Sequence, residues 1–193
     1  MSFPIADWPD LPAELIAEVR DFVRIDHEAD NEAIDAFLRS AASLCEDFTG
    51  QMLISRAVTD MLPALLAWQK LKRLPVQSIT SVELVAADGI ASLMTVEDYA
   101  IDIDSDGIGW LRLHGVEGGS RIRVTYACGL VAGWDELPTN LRQGIVRMAG
   151  YLYANRDGVD AGGPPSAVTA LWRSAPVPVA PLLQPARAHI LKF

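Results

Sequence analysis

From Asp30 to Gly50 the apolar residues Ile34, Phe37, Leu38, Ala41, Leu44, Cys45 and Phe48 recur three and four positions apart, the spacing that gathers side chains on one helical face. The pattern predicts a helix over about 31–49. Asp30 or Asn31 is placed to cap it, Glu32 and Asp35 lie at the positive end of its dipole, and Gly50 supplies a left-handed stop. Leu15, Ile16, Val19, Phe22 and Val23 repeat the pattern over about 13–24, starting near Pro12, and the polar run from Ile25 to Asp30 turns the chain so that the two apolar faces can meet. Met52 to Val58 has strand composition, whereas Met61 to Arg73, bounded by Pro63 and Pro75, reads equally as helix or extended chain.

From Ile79 the period changes to two. Val82 and Leu84 alternate with Ser81 and Glu83, Asp88-Gly89 marks a turn, and Ala91 to Val96 returns. Tyr99, Ile101 and Ile103 alternate with Ala100, Asp102 and Asp104. Leu111 and Leu113, followed by Gly118-Gly119 and then by Ile122, Val124 and Tyr126, read as a further hairpin. Residues from about 76 to 128 are therefore expected to form an antiparallel β region. Leu137-Pro138-Thr139-Asn140 opens a second strongly patterned helix over about 139–156, carried by Leu141, Ile145, Met148, Ala149 and Leu152, and Ser166 to Arg173 is read as a short last helix.

The fold class expected from these elements is α+β, mainly helical. It consists of a small helical bundle with an inserted antiparallel β-hairpin region and an extended C-terminal tail, residues 1–173 making one domain and 174–193 a Pro-rich tail. Prolines at 176, 178, 181 and 185 argue against a regular helix in the tail and against a periodic face that could pack on its own domain. The tail is therefore expected to order against a partner, through Leu182, Leu183, Arg187, Ile190, Leu191, Lys192 and Phe193.

Half of the residues are apolar, enough for a substantial core in a soluble chain of 193 residues. No apolar run approaches the roughly 20 residues that span a bilayer, and Asp7 and Asp10 stand where a basic leader would be, so neither membrane insertion nor secretion is expected. Cys45 and Cys128 both fall in apolar patterns and read as small buried hydrophobes in a reducing compartment. The net charge of −9 is uneven: residues 1–60 hold 13 acidic and 4 basic side chains, whereas residues 61–193 hold 12 of each. An acidic front and a mildly basic tail favour association of copies through surfaces of opposite sign.

Chemistry is sparse. Asp102, Asp104 and Asp106 followed by Gly107 resemble the opening of a calcium loop, but position twelve, where a bidentate Glu is needed, is Leu113 and the flanks are strands. A carboxylate-rich turn without metal is expected. His27, His114 and His189 have no ligand-spaced neighbours, no serine or cysteine stands in a nucleophile elbow, and no glycine run precedes a helix as a phosphate loop would. No catalytic, cofactor-binding or metal residue is assigned, and the chain is not expected to be an enzyme. Specific nucleic-acid binding is not expected either, since there is no basic stripe. The five tryptophans read as core or interface anchors.

The order of these pieces resembles the head–tail connector (adaptor) proteins of tailed phages and phage-derived particles, prophage and gene-transfer-particle versions included. The resemblance rests on Glu18-Val-Arg-Asp-Phe-Val-Arg-Ile-Asp26, Glu46-Asp-Phe-Thr-Gly50, Leu74-Pro-Val-Gln-Ser-Ile-Thr-Ser-Val82, Leu137-Pro, Leu141-Arg-Gln143, Tyr153-Ala-Asn-Arg156 and Pro165-Ser-Ala-Val-Thr-Ala-Leu-Trp-Arg173, and it stops at Ser174. It implies a structural virion subunit at the head–tail junction, assembled in the host cytoplasm. Its partners would be itself as a homo-oligomeric ring, often twelvefold, the portal protein, and a tail-side completion protein, with DNA passing through without specific binding. Tail completion or another morphogenesis role is the alternative, and a small metal-dependent module using the Asp102–Asp106 loop is a more distant one.

Overall fold

The alternation along Arg56–Pro63 puts Val58, Asp60 and Leu62 on one face and Ala57, Thr59 and Met61 on the other, so the β structure begins well before residue 76. The computed structural model describes residues 8–115, 121–156, 179–183 and 186. They divide into two compact units. One comprises Trp8 with the described residues of Met52–Ala132, and the other Pro9–Gln51 with the described residues from Gly133 onward.

Among its described residues the first unit has β-strands as its regular elements. Strands β1 (Arg56–Pro63), β7 (Arg121–Cys128), β3 (Val76–Val85) and β4 (Ala91–Leu93) form a four-stranded sheet in that spatial order, and β2 (Gln69–Lys70), β6 (Gly109–Leu113) and β5 (Tyr99–Ile103) form a three-stranded one. These strands pair antiparallel throughout. Val58, Leu62, Val82, Ile122, Val124 and Tyr126 of the larger sheet share one core with Leu111 and Leu113 of the smaller and with Leu71, just past the end of β2. Strand is thus about as extensive as helix among the described residues, which corrects the mainly helical expectation. The signal in β1 was masked because Arg56 and Asp60, both charged, occupy buried positions.

A second correction concerns the hairpin expected between Leu111 and Tyr126. β6 pairs with β5 and β2, whereas β7 pairs with β1 and β3, so the two belong to different sheets. Period-two burial is identical for strands paired side by side and for strands facing each other across a core, and only the backbone partners separate the cases. The Gly118-Gly119 turn region lies outside the described residues.

Asp60 is buried in a hydrogen-bonded polar cluster. Its Oδ2 accepts from the Tyr126 hydroxyl at 2.9 Å and from the Lys72 amide at 2.8 Å, while the phenolic oxygen accepts from the Arg73 amide at 3.1 Å. Burial, with the nearby Asp60 carboxylate, raises the Tyr126 pKa far above that of a free phenol.

Gly129 closes the end of this unit, its amide bonding Pro75 O at 2.9 Å. A Cβ there would lie 2.4 Å from both Cα and N of Ser55, and backbone cannot yield as a side chain can. Gly129→Ala is therefore expected to destabilise the unit by about 2–3 kcal/mol, read as a lower urea midpoint at unchanged slope.

The second unit is helical. α1 (Ala13–Val23) follows Pro12 and stops at Arg24, which takes the left-handed conformation at φ 60°. α2 (Asn31–Thr49) buries Ile34, Leu38, Ala41, Ala42 and Cys45 and ends at Gly50, φ 71°, whose amide bonds Glu46 O at 2.8 Å. α3 (Thr139–Ala154) follows a single 3-10 turn at Trp134–Glu136. Neither Asp30 nor Asn31 makes a side-chain cap bond to α2; the Asp30 carboxylate instead accepts the hydroxyl of Tyr153 on α3. Phe37 meets the Tyr153 ring edge-on at 6.0 Å. On the other flank Arg142 of α3 grips Glu18 of α1, Nη2 at 2.5 Å and Nε at 3.1 Å from Oε1, and that hydrogen bond raises the Arg142 pKa further. The helix expected over 166–173 lies outside the described residues.

Candidate interaction surface

Residues Val179–Leu183 form one more short helix, α4, in the region expected to be extended. Val179 and Leu183 are fully buried, and Leu182 is half-buried. The expectation that the tail has no helix and no face for its own domain is corrected over these five residues. Pro181 stands in the first turn of α4, where its missing N–H has no intrahelical acceptor to lose, so it does not break so short a helix.

Three residues of the same unit receive this segment. Gly144 of α3 leaves the space that Leu183 fills: a Cβ on Gly144 would stand 2.7 Å from Leu183 Cδ2. Asn140 Nδ2 donates to Leu182 O at 2.7 Å, and Gln51 Nε2 donates to Ala186 O at 2.9 Å. Of the residues expected to meet a partner, Leu182 and Leu183 therefore lie against α3. Arg187, Ile190, Leu191, Lys192 and Phe193 fall outside the described residues. The sequence singles out Asn140 only as part of the opening of α3 and does not single out Gln51; the legible signal was Gly144, a glycine inside an apolar helical stripe, which commonly marks close packing.

The aspartates at 102, 104 and 106 lie at and beyond the end of β5. Asp104 Oδ1 accepts from the amides of Asp106 at 3.0 Å and Ile108 at 2.9 Å, and Oδ2 accepts from the Trp110 indole at 3.1 Å. These donors, the indole first, hold the Asp104 pKa below the usual carboxylate range. The carboxylate is thus occupied in shaping the turn. Among the described residues no three His, Cys, Asp or Glu side chains are grouped to hold a metal ion, and no helix is long and apolar enough to cross a membrane. Cys45 is buried, and desolvation, with Glu46 nearby, pushes its thiol pKa up to about 12. Such a thiol is unsuited to nucleophilic work.

No protein-family model matches the chain, and no curated relative matches it. Solved structures do. A chain in the neck of an empty gene transfer agent (GTA) particle, computed with C6 symmetry, superposes with a TM-score of 0.72 at 23% identity over 98% of this chain and 97% of that one. A chain in the virion of a native gene transfer agent particle gives 0.70 at 24% identity over 97% of each. A chain in the neck of a native GTA particle computed with C12 symmetry gives 0.69 at 23% identity over 98% and 97%. The whole chain, both units included, thus shares its fold with components of gene transfer agent particles.

Proposed function

We propose that this protein is a structural, non-enzymatic subunit of the neck of a phage-like or gene-transfer particle. In this reading it assembles as a twelvefold ring at the head–tail junction, linking the portal to the tail-side completion protein and continuing the DNA channel. The observation that carries it is the end-to-end fold match to neck chains, since a domain shared by chance with a larger protein would leave much of one chain uncovered. The sparse chemistry agrees: the carboxylates of buried Asp60 and of half-buried Asp104 and Asp30 are each engaged in structural hydrogen bonds. An acidic subunit also suits a channel through which DNA passes without sticking, because phosphate contacts dominate DNA affinity.

Within this reading the chain beyond Ala186 is the arm that reaches the portal or a neighbouring subunit, with Ile190, Leu191 and Phe193 as apolar anchors and Arg187 and Lys192 as the charged ones. Negative-stain images of the purified full-length chain, alone and mixed with DNA-filled heads, test the proposal. Closed rings seated on the portal vertex are expected, and truncation after Ala186 is expected to abolish the seating. A chain that stays monomeric and leaves the heads bare overturns it.

A further inference from the structure

Among the described residues, each of the two sheets of the β unit has two outer strands with no further strand beside them. β1 is an outer strand of the larger sheet and β2 of the smaller, and residues 64–68 join them; β4 and β5 are the other outer strands, joined by residues 94–98. The Lys72 amide, two residues past the end of β2, bonds Asp60 of β1, which ties the chain leaving β2 to β1. Met94 N bonds Val82 O and His114 N bonds Asp98 O, which ties the second connection to β3 and to the end of β6.

Both edges expose large apolar side chains. Leu65, Leu66 and Trp68 stand out at the first, with Leu66 55% exposed, and Ile90, Leu93 and Val96 at the second, with Val96 78% exposed. Their charges are opposite. The stretch from Ala64 to Arg73 holds Lys70, Lys72 and Arg73 and no acid, while that from Ile90 to Ile103 holds Glu97, Asp98 and Asp102 and no base. Apolar side chains rimmed by charge of one sign mark a protein interface more than edge protection alone, which charged residues without exposed leucines would supply.

We propose that these edges dock on one another between successive copies of this chain, the basic Leu65–Arg73 edge of one β unit against the acidic Ile90–Asp102 edge of the next. Because the two surfaces differ, the contact is head-to-tail and repeats from copy to copy. Charge complementarity names a second copy as the occupant, since each edge supplies what the other lacks. The proposal rests on the ring reading only for closure of the series.

Mixed single-cysteine variants test it in the full-length chain, where native Cys45 and Cys128 are buried. Trp68→Cys and Val96→Cys, mixed and treated with a short bis-maleimide, are expected to give a cross-linked dimer that neither gives alone, and the double variant a ladder. Arg73→Glu or Glu97→Lys alone is expected to cut the yield about tenfold or more, and mixing chains that carry both reversals to restore it. Cross-linking of either single variant with itself at equal yield, or none in the mixture, overturns the proposal. Closed rings without the Trp68–Val96 cross-link sink this interface and leave the ring standing. A cross-linked ladder that forms only open chains supports the interface and sinks the ring.

Discussion

Asp60→Ala is expected to destabilise the β unit by about 2–4 kcal/mol, because it strips the acceptor from two donors and leaves space in the core. The Tyr126 hydroxyl and the Lys72 amide both end on Asp60 Oδ2, and Asp60 is only 3% exposed, so water cannot readily replace it. Tyr126→Phe keeps the ring volume and removes only the hydroxyl, for an expected cost of about 1–2 kcal/mol. The two changes share one hydrogen bond, so the double variant should be less destabilised than the sum of the singles. Urea unfolding of the four proteins measures the coupling, and strict additivity would show that the cluster is not a unit.

The same cluster sets a pH dependence. The Tyr126 pKa is raised in the fold, chiefly by burial and next by the Asp60 carboxylate, so the folded state favours the neutral phenol. Its contribution is fully present below the unfolded tyrosine pKa of about 10 and is lost as pH climbs toward the higher folded value. Wild type should therefore lose stability between about pH 10 and pH 12 more steeply than Tyr126→Phe does. Parallel pH curves for the two proteins would contradict this.

Removal of residues 179–193 is expected to lower the melting temperature of the helical unit markedly, although the prolines of the tail suggest a dispensable end. Leu183 and Val179 are fully buried, and Leu183 occupies the gap left by Gly144, so deletion leaves a hole between helices. Leu183→Ala alone should cost about 2–5 kcal/mol, the range for large-to-small changes at buried leucines. Truncation after Ala186 keeps both the helix and the Gln51 bond, and should leave the melting temperature near wild type. Thermal unfolding of the three variants separates the roles, and an unshifted midpoint in Leu183→Ala would show that α4 contributes nothing to the fold.

The helices were legible because each carries its own instructions. The apolar stripe from Ile34 to Phe48, the stop at Gly50 and the start after Pro138 act over neighbouring residues, and α2 and α3 appear at the places the pattern names. So do the Asp88-Gly89 turn, with Gly89 at φ 89°, and the strands on either side of it. Other features depend on partners distant in the chain. Asp60 breaks the apolar pattern of β1 in the sequence, and only the fold brings Tyr126, Lys72 and Arg73 around it, so β1 was indistinct. Leu111 and Ile122 read as partners in one hairpin until the sheet assignment parts them. The prolines of the tail argued for an extended chain, yet Val179–Leu183 form α4, because a glycine on another helix leaves the space that Leu183 fills.

What the sequence by itself determined is the set of elements whose signal is local: periodicity, caps and turns act within a few residues and need no partner to be read. The tertiary structure alone decided which strands share a sheet, why Asp60 sits in a core, and where the tail helix docks. These depend on side chains tens of residues apart meeting in a water-excluded space, where a hydrogen bond or a missing Cβ outweighs local propensity.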